Sequence, residues 1–121
     1  MSLSTLTSLG GVPMARMPAD VDIANAAAVG EQLADAVTHD APCLVIDLTH
    51  TRYLDSAGID MVLKLDERLR NRRQTLRLVV PEGSQIRRLL SVMGVDASLP
   101  IHASIEEASA SAGEEPGTSS P

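Results

Sequence analysis

Tyr53-Leu54-Asp55-Ser56-Ala57-Gly58-Ile59 changes character midway. An aromatic-apolar pair of strand type gives way to Asp and Ser, both preferred helix-capping residues. Ile59, Val62, Leu63, Leu65 and Leu69 then recur at helical spacing. A short strand therefore ends at Leu54, and a helix over residues 56–72 begins beside it. Arg68, Arg70, Arg72 and Arg73 fall in its last turn, where positive charge complements the helix dipole. The Ser56 hydroxyl then lies at the rim of a sheet, near the unpaired amides of a helix start.

Upstream, Cys43-Leu44-Val45-Ile46-Asp47-Leu48 is short, β-branched and almost wholly apolar, as suits a strand covered on both faces. Ala26, Val29, Leu33, Ala36 and Val37 predict an amphipathic helix over 25–38, with Asn25 or Asp22 available to cap it. Asp40-Ala41-Pro42 ends that helix. Downstream, a strand over 76–80 stops at Pro81-Glu82-Gly83, and Ser84 caps a helix over 84–93 that Gly94 terminates. Residues 100–102 read as a last short strand and 105–110 as a final helical turn or two.

At the N-terminus, Leu3, Thr5, Thr7 and Leu9 alternate, and 12–17 can pair back through a Gly10-Gly11 turn. Pro13 and Pro18 place such a strand at an edge. The chain thus divides into N-terminal strands or a hairpin (1–18), a single domain (19–110) and a disordered tail (111–121). Only Ser, Ala, Gly, Glu, Pro and Thr occur in that tail, too little apolar surface to order it. Strands alternating with helices imply an α/β domain. Its sheet is mixed but largely parallel, of about four to five strands, with helices mainly on one face. Strands 43–48 and 76–80 are expected side by side and parallel.

Hydrophobic residues make up 44% of the chain, which supports a packed core. With no Phe or Trp and only Tyr53 among the aromatics, that core is built from Leu, Ile, Val, Ala and Met. The net charge of −6 and the dearth of aromatics argue against nucleic acid, whose binding needs cationic grooves and stacking platforms. Eight of the ten basic residues run from Lys64 to Arg88, and they read as a solvated helix face. The lone Cys43 precludes an intrachain disulfide and suits a reducing compartment. With no membrane-length apolar run and no signal-peptide pattern, the expectation is a cytoplasmic protein with no membrane partner.

Catalytic motifs are absent: there is no GxxxxGK[ST], GxGxxG or HExxH, and the histidines have no metal spacing. No cofactor and no metal is implied. Asp20 and Asp22 read as loop and capping carboxylates rather than an acid–base pair. By itself, Asp55-Ser56-Ala57-Gly58 reads first as a plain helix cap. Its functional reading is a phosphorylation site, because a phosphate there would meet a helix dipole and amide donors.

Residues 19–110 resemble the STAS domain, the fold shared by sulphate transporters and anti-sigma-factor antagonists. Ala19-Asp20-Val21-Asp22 is similar to the family's Gly-Glu-Leu-Asp segment, with Ala and Asp in place of Gly and Glu. Residues 44–48 resemble its central strand, and 53–59 its aromatic-apolar-Asp-Ser-small-Gly-Leu signature. Residues 76–81, Ile86-Arg87-Arg88-Leu89-Leu90 and Met93-Gly94-Val95 resemble its last strand and following helix.

The resemblance implies an anti-sigma-factor antagonist, a binding protein and not an enzyme. Ser56 would be the residue phosphorylated by the partner, an anti-sigma factor that is a serine kinase of the histidine-kinase-like ATPase type. Asp22, Asn25, Asp55, Ser56, Ala57 and Gly58 would form the contact surface. The unmodified protein would release the sigma factor, and a phosphatase would reset Ser56. A different class, a STAS subunit of a lipid or anion transporter or of a sensory scaffold, is the alternative. An enzyme or nucleotide-binding protein has no supporting motif.

Overall fold

The computed structural model describes residues 6–9 and 12–112. Its elements in chain order are β1 (Leu6–Leu9), β2 (Val12–Arg16), β3 (Asp20–Val21), α1 (Ala26–Ala36), β4 (Cys43–Asp47) and β5 (Tyr53–Leu54), then α2 (Ser56–Arg70), β6 (Thr75–Val79), α3 (Gln85–Val92), β7 (Ile101–His102) and α4 (Ile105–Ala112). Five strands form one sheet in the order β1-β2-β4-β6-β7, and β3 and β5 form a separate two-stranded ribbon. Among the described residues only β1 and β2 pair antiparallel, while β2–β4, β4–β6 and β6–β7 are parallel. This is the largely parallel α/β sheet that the alternation of elements predicts.

β4 is central because every one of its residues is buried. Leu44 and Ile46 enter a large core with Leu76, Leu78 and Val80 on the face covered by α1, α2 and α3. Cys43 and Val45 point the other way, to a smaller cluster with Val12, Val79 and Ala108 of α4. The apolar run of β4 thus serves two layers, with three helices on one side and one on the other.

The N-terminal expectation needs one correction. β2 is not at an edge, because it lies between β1 and β4. Pro13 is tolerated there because it stands one residue ahead of Met14, where the pairing with β4 begins. Leu3 to Thr5, the Gly10-Gly11 turn and the tail beyond residue 112 lie outside the described residues. α4 continues through Ser111 and Ala112, which composition alone assigned to the tail.

The basic residues do not form one solvated face. Arg68 reaches Glu31 of α1 at 3.5 Å, Lys64 pairs with Asp60 at 3.0 Å, and Arg70 pairs with Asp66 at 3.1 Å. Asp66 is almost completely buried, and desolvation raises its pKa despite the opposing effect of Arg70. Arg77 is buried in the sheet, and the Arg87 guanidinium donates to the Val80 carbonyl at 2.7 Å. At the end of α2 the chain turns through Arg73 at φ 62°, and the Gln74 amide donates back to the Leu69 carbonyl at 2.8 Å. Gly94, at φ 78°, ends α3 as the sequence predicts.

Candidate functional site

The site is built where the β3–β5 ribbon delivers the chain to α2. The Ala19 carbonyl accepts from the amides of Arg52 and Tyr53 at 2.7 and 3.1 Å, and the Val21 carbonyl accepts from Asp55 at 3.2 Å. These bonds join the segment before α1 to the segment before α2. Among the described residues Arg73 is the one non-glycine with positive φ, so Ala19 takes the place of the family's Gly without strain.

Asp55 holds the extended conformation of a helix N-cap, φ −95° and ψ −174°. Its Oδ1 accepts from the Gly58 amide at 3.0 Å, which caps α2, and its Oδ2 accepts from the Ile23 amide at 3.2 Å. One carboxylate therefore fixes both a helix start and the loop before α1. Ser56 is the first residue of α2, not its cap, and its side chain is exposed. With Gly58 satisfied by Asp55, the amides of Ser56 and Ala57 remain without an acceptor inside the helix.

Gly58 is buried, so it shapes the surface rather than presenting itself as part of it. A Cβ at this position would fall 2.5 Å from Leu54 Cδ1 and 3.1 Å from Val21 Cγ1. The missing side chain lets the first turn of α2 press onto the ribbon.

In the loop before α1, the Asp22 Oδ1 accepts from the Ala24 amide at 2.9 Å. Asn25 precedes α1 but makes no side-chain cap. Instead its Oδ1 accepts from the Asp22 amide and its Nδ2 donates to the Asp20 carbonyl, each at 2.9 Å. The side chain expected to cap the helix braces the loop. Ile23 is left 83% exposed at the loop's crest, and Tyr53 of the adjoining ribbon is 51% exposed.

Asp22, Asn25, Asp55, Ser56 and Ala57 are thus assembled around the junction of two segments, with Gly58 beneath them. Sequence periodicity overlooked Ile23, because an apolar residue in a short loop looks like part of the core. The available signal was its position between Asp22 and Asn25, outside the apolar stripe of α1.

Chemically, the arrangement offers an exposed hydroxyl beside open amide donors. No histidine or carboxylate hydrogen-bonds to that hydroxyl among the described residues, so it is not arranged as an activated nucleophile. No group of three metal-ligating side chains occurs among them either. The Asp20–Arg52 pair, 3.8 Å apart and largely exposed, contributes little. No helix among the described residues is long and apolar enough to cross a membrane.

The chain is thus an α/β domain with a polar surface assembled at a helix start. The sequence profile of the STAS domain matches residues 5–108, and the chain belongs to that family. A relative 28% identical over 105 residues is the anti-sigma-F factor antagonist RsfB of Mycobacterium tuberculosis. That match covers 86% of this chain and 84% of RsfB. The fold is similar to the crystal structure of an anti-sigma factor antagonist from Mycobacterium paratuberculosis, with TM-score 0.78 and 21% identity over 93% of this chain and 98% of that one. It is also similar to that of a putative anti-sigma factor antagonist from Thermotoga maritima, with TM-score 0.75 and 20% identity over 86% and 89% of the two chains.

Proposed function

We propose that this protein is an anti-sigma-factor antagonist that binds an anti-sigma factor, releases a sigma factor, and is switched off by phosphorylation of Ser56. It acts by binding, in the cytoplasm, and catalyses no reaction. The kinase is the anti-sigma factor itself, an ATPase of the histidine-kinase-like type, and a phosphatase restores the hydroxyl.

The observation that carries this reading is the separation of roles at the start of α2. Asp55 provides the cap, so the exposed Ser56 hydroxyl can be modified without removing a contact that holds the helix. The match over most of both chains to RsfB, an anti-sigma-F factor antagonist, adds to it. Asp22, Asn25, Asp55 and Ala57 complete the contact surface around Ser56, and Gly58 sets its shape.

The test uses the source organism's histidine-kinase-like anti-sigma factors, purified one by one, with ATP. Intact-mass analysis should show one added phosphate on the wild type and none on Ser56→Ala. Ser56→Ala should bind like the unmodified wild type. Ser56→Asp should bind on the order of tenfold or more worse, because its charge must be desolvated against the partner. Phosphate at another residue, or equal affinity of the Ala and Asp variants, would overturn the switch. A structural STAS subunit would then be the better reading.

A further inference from the structure

A groove of about 450 Å³ runs between α1 and α2, and it begins at the candidate site. Ile23, whose amide bonds to Asp55, and Ala57, which follows Ser56, are both among its lining residues. Its walls are apolar and mostly small, with Ala26, Ala27 and Gly30 on α1 facing Met61 and Leu65 on α2. A Cβ on Gly30 would come within 2.8 Å of Met61 Cγ, so the closeness of the helices depends on that glycine.

Resting on the antagonist reading, we infer that this groove is the docking site for an apolar side-chain anchor of the anti-sigma factor. Three observations select that occupant. The charged residues of the lining, Lys64 with Asp60 and Arg68 with Glu31, stand as largely exposed pairs, so the buried part of the wall is apolar and holds none of the buried polar groups that a small polar ligand requires. The groove is continuous with the Ser56 surface through Ile23 and Ala57, so a partner engaging one extends over the other. Ile23 is held in water by a hydrogen bond from its own amide to the carboxylate that caps α2, which fixes a large apolar group beside the hollow. A partner side chain entering there covers Ile23 and gains the burial that the free protein forgoes. A phosphate on Ser56, next to Ala57 in the chain, would stand beside the same groove and would have to lose water where a partner covers both.

The experiment is a binding titration of the anti-sigma factors named above against four proteins of known folded stability. They are the wild type, Ala27→Gln, Ile23→Ser and the control Ala28→Gln. Ala27 lines the groove, whereas Ala28 is exposed on the same helix outside it. Ala27→Gln places a polar chain in the hollow, and Ile23→Ser removes the exposed apolar group. Each should weaken binding by about tenfold or more, with Ala28→Gln within about twofold of the wild type. Should Ala27→Gln disturb the fold, Ile23→Ser decides, because an 83% exposed side chain contributes little to the core. If the wild type binds but both groove variants keep full affinity, the groove inference is overturned and the antagonist reading stands. If the wild type binds none of the anti-sigma factors, both are overturned.

Discussion

Replacing Asp55 tests whether one carboxylate holds two segments. Its Oδ1 caps α2 through the Gly58 amide, and its Oδ2 takes the Ile23 amide from the loop before α1. Asp55→Ala removes both acceptors. A lost side-chain cap costs about 1 kcal/mol. The bond to Ile23 is exposed, so its amide can turn to water, and its loss costs roughly 0.5–1 kcal/mol. The sum for Ala is about 1.5–2 kcal/mol. Asp55→Asn retains one carbonyl oxygen, enough for the cap, and Asn caps as well as Asp. Its second polar atom is an NH₂ donor, which cannot accept from Ile23. Asn should therefore cost about 0.5–1 kcal/mol, between wild type and Ala. Urea denaturation of the three proteins gives the energies, and amide hydrogen exchange locates them. Exchange should rise at Ile23 in both variants and at Gly58 only in Asp55→Ala. Equal stability of wild type and Asn, or equal loss in Asn and Ala, would refute the double role.

Two further outcomes follow from single residues. Arg73 occupies a left-handed conformation at φ 62°, so Arg73→Gly should stabilise the protein by about 0.5–1 kcal/mol in thermal melts; a loss of stability would show that the Arg73 side chain matters more than its backbone. The pKa of His102 is lowered by burial first, then by Arg77 and Arg87, against Glu107, so the unfolded chain binds its proton more readily. Stability should be complete above the ordinary His value of 6.5 and fall as pH drops below it, and His102→Gln should flatten that acid limb of a urea-midpoint profile.

Some of this fold can be read in residues 43–48 because burial on both faces leaves an uninterrupted apolar run, and α2 because its stripe repeats over 15 residues. The β3–β5 ribbon is different. Each strand has two residues, too few to show any period, and the pairing of Asp20 with Tyr53 joins distant segments. The motif at 53–59 marked the serine, but it suggested Asp55 and Ser56 as equivalent capping residues. Only the fold shows that Asp55 takes the cap and reaches 32 positions back to Ile23. Asn25 misleads for the same reason: its residue type fits a cap, while the neighbouring carbonyl of Asp20 and amide of Asp22 claim both ends of its side chain. The basic residues looked like one solvated face because charge pairing across helices, such as Arg68 with Glu31, leaves no local pattern.

The assignment of the cap decides what a charge on Ser56 could change. If Ser56 were the cap, modifying it would strike the helix itself and put about 1 kcal/mol of folding stability at stake. With Asp55 as cap, a phosphate meets two opposing effects. The helix dipole and the free amides of Ser56 and Ala57 attract it, by up to about 1 kcal/mol. The Asp55 carboxylate repels it, by about 1–2 kcal/mol for a phosphate of nearly two charges about 4 Å away in water. The two effects partly offset in the folded state. Under the proposed function binding would have no such offset, since covering the same group with a partner would remove its water, at a cost of several kcal/mol per ion. On the proposed reading, the geometry around Asp55 would place the consequence of a charge at residue 56 mainly on association and spare the fold that carries it.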